Sequence, residues 1–484
     1  MKYVLNPRYR LRGWYKSPTG LFDTATKEAQ FFTKDDYILL MQCDGAHDID
    51  EDSFGEEQKK LFDWLKKRDI IRPAGILDYL TQEQEYRTYP ARYRKNVHWS
   101  ITGACNLKCR HCFMSAPHAK HGSPTKEQLL SVADQIAECG IFMVGITGGE
   151  PLIREDLWEI FDALSAREIG VSILYTNGWL VDEALLDRLE ERKMHPSFQL
   201  SFDGIGWHDW LRGVPGAEEK TIAALRLLKE RHYNVSVSIC LHKKNRHTLR
   251  ESIRLLASLG VSSVKCGSMM ELGEWVNPEV RGLQLTRQEE LEMFEEYIPQ
   301  YFEDDAPVSI MMADTLMYTK GEDSWRLYDV KPIEKEAEGF VPSCGVLRHN
   351  FYVGADGMVA PCMGMCDCGF AGHFPNLFET PLKEILHDSE FITLTAATVK
   401  DIRDHNPQCR ECKYVDRCTG GCRNSVLMQC DDYYGIDETL CYFHKNGWEE
   451  RLTKAAEEPF AAYLKRNPPK KKAENGEKEE EDFR

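Results

Sequence analysis

The pattern of apolar and polar residues divides the chain into stretches with different periodicities. From about residue 97 to 270, short apolar runs alternate with amphipathic helical stretches. Apolar runs of this length, separated by helices, are typical of parallel strands in a sheet that helices cover. The predicted strands are VHWSIT (97–102), FMVGIT (142–147), VSILYT (171–176), SFQLSF (197–202), VSVSICL (235–241) and SSVKCG (262–267).

Amphipathic stretches such as KEQLLSVADQIAECG, REDLWEIFDALSARE and RHTLRESIRLLASLG separate these strands and predict helices. Six successive strand–helix units without a large insertion predict an α/β fold, a partial (β/α)6 TIM-like barrel over residues 96–270. In such folds the chemistry takes place at the carboxyl ends of the strands. We therefore expect functional residues directly after each strand.

Residues 1–95 have a different pattern, in which apolar and polar residues alternate before two short helical stretches. Residues 3–32 predict a β-ribbon, and residues 33–43 and 56–70 predict helices. Thr33 and Asp36 resemble a capping box at the start of the first helix. This order predicts a winged-helix-like α+β domain of the kind that binds peptides or nucleic acids.

Beyond the predicted barrel the pattern is less regular. Residues 271–343 are acidic and predict a bridging region with a helix around 286–303, and residues 344–450 form a cysteine-rich domain. A final helix begins near residue 451. The charged tail that follows it, NPPKKKAENGEKEEEDFR, lacks apolar residues that could anchor it, so we predict that it is disordered.

The charge balance narrows the possible partners. The 484 residues include 61 basic and 78 acidic side chains, a net charge of −17. Such a chain is a poor binder of phosphate backbones, so we expect a peptide and no nucleic acid at the N-terminal domain. No apolar run approaches ~18 residues, and the first residues lack the apolar stretch of a signal peptide. We expect a cytoplasmic protein that does not bind membranes.

The 17 cysteines are the unusual feature of the composition. In a reducing cytoplasm clustered cysteines indicate metal sites rather than disulfides. Ten of the 17 fall between Cys344 and Cys441. A further three, Cys105, Cys109 and Cys112, come directly after the first predicted strand.

These first three cysteines lack a nearby fourth, since the next is Cys139. A structural zinc site normally has four protein ligands. His111 could complete a Cys₃His zinc site, but its position beside Cys112 would strain a tetrahedral arrangement. The spacing therefore favours an iron–sulfur cluster with one open iron position, which can bind a cofactor or substrate directly.

The CxxxCxxC spacing at the end of the first strand resembles that of radical S-adenosylmethionine (SAM) enzymes. Gly148-Gly149-Glu150-Pro151, at the end of the second strand, resembles the family's GGEP motif, although alone it could be an ordinary turn. The resemblance implies that the three cysteines hold a SAM-binding [4Fe–4S] cluster. The residues that it implies as SAM contacts are Gly148, Gly149, Glu150, Thr176, Asn177, Ser201 and Asp203, and Leu241 either flanks the adenine or packs in the core.

In the family, one electron from the reduced cluster cleaves SAM to methionine and a 5′-deoxyadenosyl radical, which removes a hydrogen atom from the substrate. The cofactor supplies this chemistry, and the protein orients it and excludes solvent. The resemblance also implies an external one-electron reductant, a flavodoxin or a ferredoxin.

The C-terminal cysteines resemble the SPASM extension of radical SAM enzymes in their spacing. A zinc ribbon would use four of them and leave Cys344, Cys362 and Cys441 unexplained. The resemblance implies two auxiliary [4Fe–4S] clusters and thus three clusters in all. The first auxiliary cluster would be held by Cys344, Cys362 and Cys422, and the second by Cys409, Cys412, Cys418 and Cys441.

Seven ligands leave one position of the first auxiliary cluster unassigned. Cys366, Cys368 and Cys266 are candidates, and otherwise the open iron could bind a substrate thiolate. The sequence does not decide between them. Of the remaining cysteines, Cys43, Cys139 and Cys240 lie on apolar faces and are expected to be inert, and Cys430 stays undecided.

The N-terminal domain resembles the precursor-recognition element of enzymes that mature ribosomally synthesised peptides, which bind a leader peptide as an added strand. A structural cap over the barrel is the alternative. The resemblance implies a precursor peptide as substrate and a thioether from cysteine to carbon as product, as in sactipeptide and ranthipeptide synthases. The alternatives are a carbon–carbon link of the streptide type, an anaerobic sulfatase-maturating type of oxidation, and a non-enzymatic metal scaffold.

Overall fold

The computed structural model describes residues 1–269, 272–313, 315–327 and 330–469. Most of the predicted charged tail, from residue 470 onward, lies outside the described residues. All 17 cysteines lie inside them, and none of these forms a disulfide.

The N-terminal residues form sheets and short helices, as the sequence pattern predicts. Both predicted helices are present, and Thr33 caps the first by accepting a hydrogen bond from the Asp36 N–H group. The helices are α1 (Lys34–Gln42) and α2 (Glu56–Lys67). The strands are β1 (Lys2–Leu5), β2 (Tyr9–Trp14), β3 (Ser17–Asp23), β4 (Glu28–Phe31), β5 (Asp44–Asp48), β6 (Ile71–Pro73) and β7 (Arg87–Tyr89).

These strands belong to two sheets rather than to one ribbon. Strands β2, β3 and β4 form the predicted antiparallel ribbon, which β7 extends into a sheet of order β4-β3-β2-β7. Strand β1 leaves the ribbon and pairs with β5 and β6 in a second sheet. Together with α1 and α2, this second sheet encloses an apolar core of its own. Local patterning did not reveal it because β6 lies some 70 residues from its partner.

The ribbon sheet packs against the barrel. The rings of Phe22 and Phe142 lie 4.2 Å apart, and the Trp14 indole N–H donates to the Gly140 carbonyl at 3.1 Å. Arg10 makes a bidentate ion pair with Glu168 at 2.7 and 2.8 Å. The N-terminal domain is therefore joined to the barrel by apolar and charged contacts.

One large sheet forms the centre of the molecule. All six predicted barrel strands are present and pair in parallel in chain order, from β8 to β13. The strands of this sheet are β8 (Asn96–Ser100), β9 (Met143–Thr147), β10 (Gly170–Tyr175), β11 (Ser197–Ser201), β12 (Val235–Leu241), β13 (Ser263–Ser268), β14 (Ser309–Met312), β15 (Leu316–Tyr318), β16 (Arg326–Leu327), β17 (Asn350–Val353) and β18 (Val359–Ala360).

The sheet continues beyond the six predicted strands at both edges. Strand β14 pairs in parallel with β13, and β15 and β16 follow it in antiparallel order. At the other edge β17, from the cysteine-rich region, pairs in parallel with β8. Strands β17 and β18 form a hairpin, with Gly357 at φ +85° in its turn. Through β17 the cysteine-rich region joins the sheet beside β8, the strand that precedes the first three cysteines.

Helices cover the barrel sheet. Several begin with capping boxes, such as Thr125 with Gln128 and Thr286 with Glu289. Their apolar faces and the strands form one large core. These helices are α3 (Lys126–Glu138), α4 (Leu157–Ala166), α5 (Glu183–Glu191), α6 (His208–Arg212), α7 (Ala217–Glu230), α8 (Leu249–Ser258) and α9 (Arg287–Glu303).

The C-terminal region consists of short helices and one long one. The final helix packs against α9, where the rings of Phe302 and Phe460 lie 5.1 Å apart. The helices are α10 (Gly345–His349), α11 (Leu382–Ile385), α12 (Glu390–Thr395), α13 (Val399–His405), α14 (Pro407–Arg410), α15 (Arg423–Cys430), α16 (Glu438–Lys445) and α17 (Trp448–Arg466). Among the described residues, none of the helices combines the length and the apolar character needed to cross a membrane.

Candidate active site and cysteine clusters

Cys105, Cys109 and Cys112 lie together in the loop after β8. Burial raises the pKa of Cys105 to about 12, and the nearby Cys109 and Cys112 add to the increase. Backbone N–H groups point at two of the sulfurs, from Leu107 to Cys105 at 3.4 Å and from Ala116 to Cys112 at 3.3 Å. Donors of this kind stabilise thiolates, which are the form that binds iron.

The third sulfur, that of Cys109, has a cationic neighbour. One guanidinium nitrogen of Arg212 lies 3.7 Å from it. Arg212 is itself held by Asp203, whose Oδ2 accepts from Nε at 2.7 Å. The Asp203 carboxylate is fully buried beside Arg212 and His208, which hold its pKa well below its usual range although burial alone would raise it. The structure thus directs the predicted SAM contact Asp203 toward Arg212 and the cysteine loop.

The end of β9 runs alongside the start of the cysteine loop. The Gly149 N–H donates to the Thr102 carbonyl at 2.8 Å, and the Glu150 N–H donates to the Ala104 carbonyl at 2.9 Å. A Cβ on Gly149 would lie 2.1 Å from the Ala104 carbonyl oxygen, and one on Gly148 would lie 2.5 Å from that of Thr102. Glycine is therefore required at both positions by the close approach of two backbone segments.

Glu150, Thr176 and Asn177 form one hydrogen-bond network. The buried Glu150 carboxylate accepts from the Thr176 hydroxyl at 2.9 Å and from the Asn177 backbone N–H at 2.7 Å. Burial raises the pKa of Glu150 to about 7, against these bonds. The Asn177 side-chain amide donates to Asn106 Oδ1 at 2.8 Å and lies 3.8 Å from the Cys105 sulfur. The network ties the ends of β9 and β10 to the cysteine loop.

The last residues of the next two strands, β11 and β12, are partly or fully buried. Ser201 is the last residue of β11 and is partly buried beside its β12 neighbour Ser238. Leu241, at the end of β12, is 1% exposed and packs in the main core. Of the two alternatives for Leu241, a contact with adenine or packing in the core, this position agrees with the second.

The sequence pattern did not identify His242, which directly follows Leu241, as a candidate site residue. It is fully buried, and its Nε2 has no hydrogen-bond partner among the described residues. Its ring lies 5.3 Å from that of Trp210 and 5.9 Å from that of Trp275. Its position directly after a strand was the available signal.

The C-terminal cysteines gather into two groups. Cys344 and Cys362 belong to one apolar cluster. Burial raises the pKa of Cys362 to about 11, and the nearby Cys344 adds to the increase. Burial lowers the pKa of Arg423, and Cys344 and Cys422, which directly precedes α15, act in the opposite direction. In the second group, burial raises the pKa of Cys418 to about 11, and the nearby Cys441, Cys409 and Cys412 add to the increase. The Gly420 N–H donates to the Cys418 sulfur at 3.4 Å. Cys344 thus lies near Cys362, and Cys441, Cys409 and Cys412 lie near Cys418, as in the two ligand sets that the family resemblance implies.

His121 connects the first cysteine loop to the cysteine-rich region and was not singled out from sequence. Its Nδ1 lies 2.9 Å from Asp356 in the hairpin turn, and its Nε2 lies 3.5 Å from Asp367, which also pairs with Lys120 at 2.7 Å. The hydrogen bond to the Asp356 carboxylate and the nearby Asp367 carboxylate raise the pKa of His121 to about 9. No local pattern could have indicated these contacts because the partners lie more than 200 residues apart.

The profile of the radical SAM superfamily matches residues 99–256, which contain the cysteine loop and the Gly148-Gly149-Glu150 network. These residues form a radical SAM domain. A second profile, the SPASM iron–sulfur cluster-binding domain, matches residues 344–413. This radical SAM protein is an enzyme whose cofactors are SAM and iron–sulfur clusters. Its residues fit these cofactors, since backbone N–H groups donate to the sulfurs of Cys105, Cys112 and Cys418.

Known proteins similar to this radical SAM chain differ in their substrates. An AdoMet-dependent heme synthase of Methanosarcina barkeri is 24% identical over 72% of this chain and 96% of that protein. A PqqA peptide cyclase of Granulibacter bethesdensis is 28% identical over 36% of this chain and 46% of that protein. The crystal structure of Streptococcus suis SuiB bound to its precursor peptide SuiA has a TM-score of 0.60 and 14% identity. The likeness covers 91% of this chain and 99% of that chain.

Proposed function

We propose that this cytoplasmic enzyme cleaves SAM reductively and installs thioether cross-links, from cysteine sulfur to carbon, in a ribosomally synthesised precursor peptide. The observation that carries the proposal is the N-terminal domain, a unit of two sheets and two helices with an apolar core of its own, which is joined to a radical SAM barrel and a SPASM domain. Support comes from the fold likeness to SuiB, which extends over 91% of the chain and belongs to a structure recorded with a bound precursor peptide.

The proposed metal ligands follow the three cysteine groups. Cys105, Cys109 and Cys112 would hold the SAM-binding cluster. The first auxiliary cluster would take Cys344, Cys362 and Cys422, and the second would take Cys409, Cys412, Cys418 and Cys441. A flavodoxin or a ferredoxin would supply electrons one at a time.

The second N-terminal sheet is the proposed site for the leader peptide. Strands β5 and β6 are its two edges, and an edge can accept a further strand through backbone hydrogen bonds. The loop beside β5 exposes two large apolar side chains, Ile76 at 93% and Leu77 at 87%. Exposed apolar side chains beside a sheet edge indicate a surface that binds a partner. Binding there would hold the rest of the peptide at high effective concentration near the barrel.

The chain's own residues orient the reaction. The Glu150 network fixes the cysteine loop against the ends of β9 and β10, and Gly148 and Gly149 permit that contact. Arg212 places a positive charge beside the Cys109 sulfur. Thr176, Asn177 and Ser201 lie at strand ends, where they can meet the polar groups of SAM.

When bound, SAM and its cluster supply a 5′-deoxyadenosyl radical after one electron enters. Thioether formation would remove one hydrogen atom from a peptide carbon, which converts the 5′-deoxyadenosyl radical to 5′-deoxyadenosine. It would also remove one proton from the thiol and one electron, which an auxiliary cluster would accept. Each thioether link therefore removes two hydrogens from the peptide.

The test is anaerobic incubation of the reconstituted, reduced enzyme with SAM and the peptide encoded beside this gene, followed by tandem mass spectrometry. We expect 5′-deoxyadenosine, a loss of two hydrogens per link, and cysteines protected from alkylation. The same mass loss with alkylatable thiols would identify a carbon–carbon link instead. Turnover of a tetrapyrrole but not of the peptide would contradict the proposal in favour of the heme-synthase relatives.

A double variant, Ile76→Asp with Leu77→Asp, tests the leader site. We expect at least a 10-fold weaker binding of a fluorescent leader peptide, because the aspartates replace exposed apolar contacts, and unchanged SAM cleavage without peptide. Phe340→Asp is the matched control, since Phe340 is 77% exposed outside the N-terminal domain. If leader binding weakened equally in both variants, or in neither, the leader would not bind at this loop. The N-terminal domain would then be interpreted as a structural cap over the barrel.

A further inference from the structure

The inner face of the barrel sheet, which is the face turned away from the covering helices, carries polar side chains that can meet a ligand. On strands β8 to β13, side chains that pack in the main core alternate with side chains on this inner face. The interior of a closed barrel is filled with apolar side chains, so a polar and accessible inner face indicates space for a ligand. The partly exposed or exposed polar residues on it include His98, Tyr175, Gln199, Ser236, Ser238 and Lys265.

Lys265 on β13 is the one Asp, Glu, Lys or Arg residue in these six strands, which span residues 96–100, 143–147, 170–175, 197–201, 235–241 and 263–268. Its neighbours Val264 and Cys266 are 2% and 0% exposed and belong to the main core, whereas Lys265 is exposed. Successive side chains of a strand point to opposite faces. The side chain of Lys265 therefore lies on the inner face.

Strand pairing places Lys265 close to the strand ends that carry the predicted SAM contacts. Lys265 pairs with Ser238 on β12, and Ser238 pairs with Ser201, the last residue of β11. Adjacent strands lie about 4.8 Å apart, so two strand spacings, or roughly 10 Å, separate the backbones of Lys265 and Ser201. Two residues after Ser238, the backbone N–H of Cys240 donates to Asp203 at 3.2 Å. Lys265 therefore lies beside the proposed SAM site.

The neutral polar side chains of the inner face form hydrogen bonds with one another. Gln199 Nε2 donates to the Ser238 hydroxyl at 2.6 Å, on the strand next to Lys265. Farther along the sheet, the Tyr175 hydroxyl lies 3.4 Å from His98 Nε2. These pairs satisfy each other's polar groups and leave the charge of Lys265 unmatched.

In the part of the chain that the structure describes, no carboxylate lies within ion-pair distance of the Lys265 ammonium group. Arg212, the cation at the mouth of the barrel, differs in this respect because Asp203 lies 2.7 Å from it. A positive charge in a cleft attracts anions, because the surrounding protein has a low dielectric constant and focuses its field. The opposite charge for Lys265 can therefore come from a bound ligand.

We infer that the substrate carries a carboxylate close to the carbon that reacts, and that Lys265 binds this carboxylate. The inference rests on the proposed function, in which the substrate is a precursor peptide. Carboxylates are the anions of an unmodified peptide, so the group belongs to an Asp or Glu side chain of the core peptide or to its C-terminus. Lys265 then selects which part of the core reaches the radical, while the N-terminal domain binds the leader.

The first test measures how tightly the core peptide, without its leader, binds to the reconstituted enzyme with SAM. No reductant is added, so the measurement does not depend on the reaction. We expect Lys265→Met to weaken binding about 10-fold or more, because a hydrogen bond to a charged group is lost, and Lys265→Arg to restore most of the affinity. Lys220→Met is the matched control, since Lys220 is exposed on α7, outside the barrel interior.

A second measurement changes the peptide and leaves the enzyme intact, so that it does not depend on the folding of a variant. Each Asp or Glu of the core is replaced in turn by Asn or Gln, and in a further peptide the C-terminus is amidated. We expect one of these peptides to bind the unchanged enzyme as weakly as the parent peptide binds K265M. Combining that peptide with K265M should cause no further loss, because the two changes remove the same contact.

The inference is overturned if no carboxylate of the peptide shows this coupling. It is also overturned if K265M weakens the binding of SAM as much as that of the peptide, because the anion at Lys265 would then be the carboxylate of SAM. An unchanged enzyme that does not bind the core peptide at all would contradict the proposed function instead. Heme and its dimethyl ester then replace the peptides, and equal affinity of the enzyme for the two would overturn the inference.

Discussion

Single residues at the mouth of the barrel act mainly by holding backbone segments together. The two glycines of the Gly148-Gly149-Glu150 motif resemble family positions that approach SAM. In this chain they also allow β9 to lie against the segment from Thr102 to Ala104. Glu150 then fixes Thr176 and Asn177. Residues predicted as separate cofactor contacts therefore form one connected structure.

Gly149→Ala tests this point. The added Cβ would lie 2.1 Å from the Ala104 carbonyl oxygen, so the cysteine loop must move. We expect SAM cleavage, measured as 5′-deoxyadenosine, to fall at least 100-fold, because a displacement of about 1 Å is enough for such a loss. Gly55→Ala is the control, since no atom lies within 4 Å of its added Cβ. Full activity in G149A would show that the loop tolerates the shift.

At the scale of elements, the hairpin of β17 and β18 is the connection between the two metal-binding regions. Strand β17 pairs with β8, and the hairpin turn presents Asp356 to His121 from the cysteine loop. His121 also lies near Asp367, in the segment that follows β18. The two cysteine regions are thus joined by backbone pairing and by a buried histidine between two carboxylates.

His121→Gln should destabilise the protein in a pH-dependent way. The folded pKa of His121 is about 9, above an unfolded value of about 6.5, so its stabilisation is complete below pH 6.5 and is lost as pH rises through 9. The pKa values of Asp356 and Asp367 are lowered, so their share is lost in acid. We expect a loss of roughly 2 kcal/mol at pH 6.5, seen as a lower Tm, that shrinks by pH 10.

The control for this prediction is His47→Gln, which removes an exposed histidine–carboxylate pair with Asp44. An exposed pair of this kind contributes about 0–1 kcal/mol. A Tm difference for H121Q that stays constant from pH 6 to pH 10 would show that packing, not charge, is responsible.

At the scale of the whole molecule, three cysteine groups occupy separate parts of one connected body. The SAM group follows β8, and the other two lie among the helices of the SPASM region. The N-terminal domain contacts both the barrel and the SPASM region. Phe22 packs on Phe142 of the barrel, and the Tyr15 hydroxyl donates to Asp388 of the SPASM region at 2.6 Å. Removing residues 1–95 would therefore expose apolar surface, and point variants are the sharper test of that domain.

Replacing Cys105, Cys109 and Cys112 with Ala tests the separation of the sites. We expect SAM cleavage to be abolished while about two thirds of the iron remains, because the C-terminal cysteines are the proposed ligands of the other two clusters. Iron analysis and 5′-deoxyadenosine detection measure both quantities. Loss of all iron would mean that the sites assemble together, and retained cleavage would mean that the SAM cluster is elsewhere.

The sequence alone determined the six barrel strands, the cysteine groups and the family, because periodicity and motif spacing are local properties of the chain. Only the tertiary structure decided which segments extend the sheet and which groups meet across it. The pairing of β17 with β8 and the contacts of His121 join residues more than 200 positions apart. Burial in the barrel core likewise separates Cys266 from Cys344 and Cys362, which belong to another apolar cluster. These are properties of the folded chain and leave no trace in local patterns.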